Sequence, residues 1–191
     1  MATVCDLCKL LANPFRLEML RRIHASPDGL NVGVLVSDLD RAGIGQSGVS
    51  QYLKQLASIG VIRRVRAGRY VNYIASKSPC RAVQVATEAI VSRLQTEGDA
   101  DFVRYLPVLM NPFRAKVVAA VAKAGRIPAL EICEKLEHNP KYLKRDLQEA
   151  VDAGLLITDD SAVTLAEYGY AEPSDPVARL LISLLQRAHL L

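Results

Sequence analysis

The chain repeats itself. Leu10-Leu11-Ala12-Asn13-Pro14-Phe15-Arg16 returns 98 residues on as Val108-Leu109-Met110-Asn111-Pro112-Phe113-Arg114. Leu53-Lys54-Gln55-Leu56-Ala57-Ser58-Ile59-Gly60-Val61-Ile62 returns 94 residues on as Leu147-Gln148-Glu149-Ala150-Val151-Asp152-Ala153-Gly154-Leu155-Leu156. Similarity that recurs in one order marks a supersecondary unit present twice. A length of 191 residues suits two small domains. The repeat therefore predicts domains over residues 1–96 and 97–191, of one ancestry, joined near Gln95 to Asp101.

Each copy has the pattern of helices followed by short strands. Asn13 is placed to cap a helix whose first position is Pro14, where a missing N–H costs nothing. Phe15, Met19, Leu20 and Ile23 follow at helical spacing, and Phe113, Val117, Val118 and Val121 do the same after Asn111-Pro112. Leu30 to Leu39 predicts a short second helix, Gly43 and Gly45 a turn, and Gln46 to Ile59 a third helix with Val49, Leu53 and Leu56 inward. Gly60 stands as its C-cap. Val61 to Val65 and Tyr70 to Ile74 are β-rich runs around Ala67-Gly68, a hairpin signal. Arg81 to Leu94 closes the copy as a helix. The predicted fold class is mainly α with small β-hairpin wings, in two winged helix-turn-helix domains.

Charge divides unevenly between the copies. Residues 1–96 hold thirteen Lys and Arg against six Asp and Glu, a net +7, whereas residues 97–191 hold eleven against fourteen, a net −3. A basic half joined to an acidic half fits a molecule of which one half faces phosphates. In a helix-turn-helix the second helix lies in the major groove and its early exposed residues reach base edges. Those residues are Gln46, Ser47, Ser50, Gln51, Tyr52 and Lys54. Gln suits adenine, Ser either base or phosphate, and Lys phosphate or guanine. No acidic residue lies between Gln46 and Gly60. In the hairpin, Arg63, Arg64, Arg66 and Arg69 put four arginines into the eight residues that end at Tyr70. Like charges held this close repel one another, and a purely structural hairpin gains nothing from them. A wing tipped with Arg can instead enter a minor groove, where negative potential concentrates.

Three segments also resemble the ArsR (SmtB) repressors. Leu11 to Leu20 looks like that family's opening helix. Ser47-Gly48-Val49-Ser50-Gln51-Tyr52-Leu53-Lys54-Gln55-Leu56 resembles its recognition helix, with Tyr52 where a His is common, and Arg66 to Tyr73 looks like its wing. The match runs from about Leu7 to Leu94. The resemblance implies a dimeric repressor that binds duplex DNA at a palindromic operator and releases it on meeting an effector. It implies a dimer built near Val4 to Leu11 and Arg81 to Leu94. Whether the partner is a second chain or the second copy, as an intrachain pseudo-dimer, stays open, and so does the effector.

The second copy departs from that pattern. Its counterpart of the recognition helix, Asn139 to Ala153, offers Lys141, Tyr142, Lys144 and Arg145 for a secondary DNA contact, but also Asp146, Glu149 and Asp152. Its counterpart of the wing, Leu156 to Val163, carries Asp159 and Asp160 and no Arg. Carboxylates at a tip oppose a phosphate backbone. This copy is expected to be a degenerate wing domain with a pairing or effector role. Val177, Leu180, Leu181, Leu184 and Leu185 stripe one side of a last helix over Pro176 to His189.

Other chemistries find less support. The family's usual metal positions hold no Cys or His here: Val34 to Leu39 lacks Cys, and Arg81 to Leu94 has only Glu88. Cys5 and Cys8 form a CxxC without a second pair, so they are weak metal candidates, with Cys80 a conceivable further ligand across a dimer. No cofactor is expected. His24, His138 and His189 stand apart with no nucleophile beside them in motif context, so the chain is not expected to be an enzyme. No apolar run is long enough to span a bilayer, and Asp6 sits where a secretory signal needs apolar residues, so a cytoplasmic location without membrane contact is expected. The rival to DNA binding is a protein-interaction or scaffold module that kept the winged-helix fold and lost DNA.

Overall fold

The computed structural model describes residues 2–39, 43–97, 101–137, 139–158 and 166–189. The chain divides into two compact units, Met1–Ala100 and Asp101–Leu191. Both are mainly helical with small antiparallel sheets.

Unit 1 opens with α1 (Val4–Leu11) and α2 (Pro14–Ala25), each started by a side-chain cap. The Thr3 hydroxyl accepts from the Asp6 N–H at 3.2 Å while the Asp6 carboxylate accepts from the Thr3 N–H at 2.9 Å. Asn13 Oδ1 accepts from the N–H groups of Phe15 and Arg16 at 3.0 and 3.2 Å. Such caps satisfy backbone donors that the first turn leaves open. Buried Leu17, Met19, Leu20 and Ile23 form the inner face of α2, and Phe15 is only half-buried.

The expected helix over Leu30 to Leu39 is shorter in the structure. Leu30–Asn31 is a strand, β1, and α3 runs over Val32–Leu39. The reason is local: Asn31 Oδ1 accepts from the Val34 N–H at 3.0 Å, so Asn31 caps the helix instead of joining it. Leu30 and Asn31 then pair with Tyr73 and Asn72. α4 (Gln46–Ser58) follows, and Val49, Leu53 and Leu56 are fully buried along it. Gly60 stands at φ +79°, and a Cβ there would come within 2.9 Å of the Pro79 ring. β2 (Ile62–Ala67) and β3 (Tyr70–Ala75) form the hairpin, giving a sheet of order β1-β3-β2, and α5 (Arg81–Glu97) completes the unit.

Unit 2 repeats the order. After a 3₁₀ turn (Asp101–Tyr105) and α6 (Leu106–Leu109) comes α7 (Pro112–Ala124), capped by Asn111 Oδ1 at 2.9 and 3.3 Å as α2 is by Asn13. Then follow β4 (Arg126–Pro128), α8 (Ala129–Leu136), α9 (Pro140–Asp152), β5 (Leu156–Thr158), β6 (Glu167–Tyr170) and α10 (Pro176–His189). The sheet order β4-β6-β5 matches β1-β3-β2. α4 and α9 have thirteen residues each. On α10, Val177, Leu181, Leu184 and Leu185 are buried, and Leu180 is half-buried. No helix among the described residues is long and apolar enough to cross a membrane.

The base of the β2–β3 hairpin is fastened to the helices. Val61 O accepts from the Ser76 N–H at 3.1 Å and from His24 Nε2 at 3.2 Å. A carbonyl only accepts, so the His24 Nε2 carries the proton. The Ser78 hydroxyl donates to Ile59 O at 3.0 Å, and the Ser78 N–H donates to Gln84 Oε1 at 2.7 Å. Burial pushes the His24 imidazole below its ordinary value of 6.5, against the hydrogen bond to Val61, which pulls it up. A folded-state value below the unfolded one means that the native state holds the neutral ring. Stability from this site is present above 6.5 and is lost as the pH falls below it. The thermal midpoint of unit 1 is expected to drop between pH 7 and about 5.5 more steeply in the wild type than in His24→Gln, which has no titrating ring. Equal slopes in the two proteins would contradict this.

Candidate nucleic-acid interface

On α4 the apolar residues at 49, 53 and 56 face the core, which turns 47, 50, 51 and 54 outward by the 3.6-residue period. Gln46, Ser47, Gln51 and Lys54 are exposed, and Ser50 is half-buried. Gly45 precedes the helix without a side-chain cap, so the positive end of the helix dipole lies among these polar residues. Tyr52 differs from its neighbours. It is half-buried, and the Arg16 guanidinium lies over its ring at 5.1 Å.

The hairpin sorts its arginines. The register pairs Arg64 with Tyr73 and Arg66 with Val71, whereas Arg63 pairs with Ile74. Successive side chains on a strand alternate between faces. Arg64 and Arg66 therefore share the Val71 face, and Arg63 takes the other. With Arg69 at the turn, Arg64, Arg66 and Val71 line an open cleft of about 480 Å³. Arg63, Arg64, Arg66 and Arg69 are all exposed, and among the described residues none forms an ion pair. Gly68, at φ +60°, makes the tight turn. Arg69 stacks against Tyr70 at 4.9 Å, and Tyr70 is 53% exposed. The sequence reading took the four arginines as one group; the register makes them three and one.

Unit 2 has a different surface at the matching positions. Arg114, which corresponds to Arg16, is buried and donates from Nε to Asp146 Oδ1 at 2.8 Å and from Nη2 to Glu149 Oε1 at 2.8 Å. Arg145 also donates to Glu149, at 3.1 Å. Two of the three acids on this counterpart of the recognition helix, Asp146 and Glu149, are thus engaged by Arg114 from α7. The side chains of Tyr142, Lys144 and Arg145 are exposed, and that of Lys141 lies outside the described residues. The expected acidic tip at Asp159 and Asp160 lies outside them as well, as does His138.

Arg16 and Gln55 belong to the neighbourhood of α4 and escaped the sequence reading. Arg16 Nε and Gln55 Oε1 are both buried with no hydrogen-bond partner. Aligning the two copies could have shown them, because the partners of Arg114 stand where α4 has Tyr52 and Gln55.

Cys5 and Cys8 lie buried on α1. Burial, and to a lesser extent the Asp6 charge, pushes the Cys5 thiol up to about 11, and burial pushes that of Cys8 further up still. Both therefore stay protonated near neutral pH, whereas a metal ligand must be the thiolate. Cys80 is half-buried just before α5. Among the described residues no three His, Cys, Asp or Glu are grouped to hold a metal ion.

No family model matches the chain, and no solved structure matches it. A protein of Halobacterium salinarum named as an arsenical resistance operon repressor, ArsR2, is similar to it. The two are 34% identical over 91 residues, which cover 47% of this chain and 70% of that protein. Spanning that much of such a relative at that identity, the chain belongs to the ArsR family.

Proposed function

We propose that this protein is a transcription regulator, in the mode of a repressor, in which unit 1 binds duplex DNA. α4 enters the major groove with Gln46, Ser47, Ser50, Gln51 and Lys54 toward the bases, and the hairpin lays Arg64, Arg66 and Arg69 along the backbone or into the adjoining minor groove. The observation that carries this reading is the unneutralised arginine cleft on one face of the hairpin. Three guanidinium groups brought together without a counter-charge form a site for a polyanion. The polar outer face of α4, free of acids, supplies the base-reading half, and the similarity to a protein named as a repressor points the same way.

The shared Asn-Pro caps and the shared strand order support reading the two units as copies from a tandem duplication. In this reading residues 1–96 are the DNA-binding domain and residues 97–191 a degenerate one with a pairing or effector role. The capture of Arg114 by Asp146 and Glu149 favours that second role, since it closes the flank of α9 with an internal ion pair. Pairing completes the regulator: a second chain brings a second DNA-reading head, whereas an intrachain pseudo-dimer has one blind head and reads a half-site.

A mobility-shift series over salt tests the wing. Arg66→Ala/Arg69→Ala is expected to weaken binding on every duplex alike and to flatten the slope of log affinity against log salt by about 2. Wild-type affinity and slope in that variant would remove the wing from the interface. Gln51→Ala is expected to cost about 1–3 kcal/mol at one base step and little elsewhere, measured by selection from a random duplex library. Unchanged preference at every step would remove Gln51 from base reading.

A further inference from the structure

The two units solve one local problem in opposite ways. Where α7 meets α9, the guanidinium of Arg114 is met by two carboxylates, Asp146 and Glu149. Where α2 meets α4, the same guanidinium position is filled by Arg16, and the positions of those carboxylates are filled by Tyr52 and Gln55. Arg16 keeps a ring under it at 5.1 Å, and among the described residues no carboxylate pairs with it. Its Nε is buried without an acceptor, and the Gln55 amide oxygen nearby in sequence to Tyr52 is buried without a donor. The one acid close to Arg16 along α2, Glu18, is already held by Arg21 and Arg22, each at 2.6 Å.

A buried guanidinium donor with no acceptor is costly, and native proteins meet such a donor with a protein group, an ordered water or a ligand. In unit 2 the completing group is known: a pair of anionic oxygens on the neighbouring helix. Resting on the DNA-binding reading above, we infer that Arg16 is a backbone anchor on the flank of α4, and that a DNA phosphate takes in unit 1 the place Asp146 and Glu149 take in unit 2. Tyr52 holds the guanidinium by stacking, which fixes its plane without neutralising it. The anchor adds, from a different helix, a phosphate contact to those of the hairpin, and so helps to set the angle at which α4 meets the duplex. It carries no base preference. The acids of unit 2 act correspondingly as a built-in substitute for phosphate, which makes that head self-satisfied.

The test is a salt-graded binding series on random duplex with wild type, Arg16→Gln, Arg16→Lys and Gln55→Glu, with thermal midpoints alongside. Arg16→Gln is expected to bind about tenfold more weakly at moderate salt, with a slope shallower by about 1, and Arg16→Lys to keep the slope. A role in packing alone would make the two variants lose alike. Gln55→Glu changes one amide to a carboxylate at the place of Glu149 and leaves Arg16 intact. It is expected to keep or raise the thermal midpoint while weakening binding about tenfold, as the new carboxylate takes the phosphate's place. That variant carries the test if Arg16→Gln does not fold. Wild-type slope in Arg16→Gln, or wild-type affinity in Gln55→Glu, overturns the anchor and leaves the DNA-binding reading standing. Failure of the wild type to bind any duplex at low salt overturns both.

Discussion

Three arginines on one face of a two-stranded hairpin repel one another, and the hairpin holds them together all the same. Six cross-strand pairs, from Ile62 with Ala75 to Ala67 with Tyr70, fix the register that puts Arg64 and Arg66 on the Val71 face. The base of the hairpin is fastened by the buried residues Ile62 and Tyr73 and by hydrogen bonds from His24 and Ser78 to the carbonyls of Val61 and Ile59. A slip of one residue would exchange the faces, turning Arg63 toward the side of the buried Tyr73 and taking Arg64 and Arg66 off it. The cation cleft therefore exists because the sheet and its helices enforce it. Nothing in the hairpin itself rewards it.

The same scaffold appears twice with opposite electrostatics. Among the described residues, unit 1 leaves its guanidinium groups without ion pairs at the hairpin and at Arg16, whereas unit 2 closes Arg114 with two carboxylates. Ion pairs of this kind contribute modestly to stability when both partners must leave water. Their clearer consequence is that the flank of α9 is already satisfied without an external anion. The two units share the Asn-Pro cap, the strand order and the thirteen-residue length of α4 and α9, and differ in the side chains set on those positions.

Much of this was legible in the sequence. The Asn-Pro start of α2 and α7, the span Pro176 to His189 of α10 and the glycine turn of the hairpin each rest on local chemistry that one residue type supplies. The third strand of each sheet was not legible. Leu30 and Asn31 carry no strand pattern of their own and become β1 only through pairing with Tyr73 and Asn72 across the chain. The separation of Arg63 from Arg64 and Arg66 needs the register, which spacing alone does not fix. The fate of Asp146 and Glu149 needs the packing of α7 on α9, since their partner lies more than thirty residues away. Helical periodicity says nothing about what approaches from the next helix.

In the proposed function, unit 1 presents α4 and the Val71 face of the hairpin to duplex DNA. Amide chemical-shift mapping of the full chain titrated with a short duplex tests it most directly. Shifts are expected to concentrate at Gln46 to Lys54 and Arg64 to Tyr70 and to grow as salt is lowered, with α9 largely undisturbed. Shifts confined to unit 2, or spread evenly over the basic surface of unit 1 with α4 silent, would contradict it.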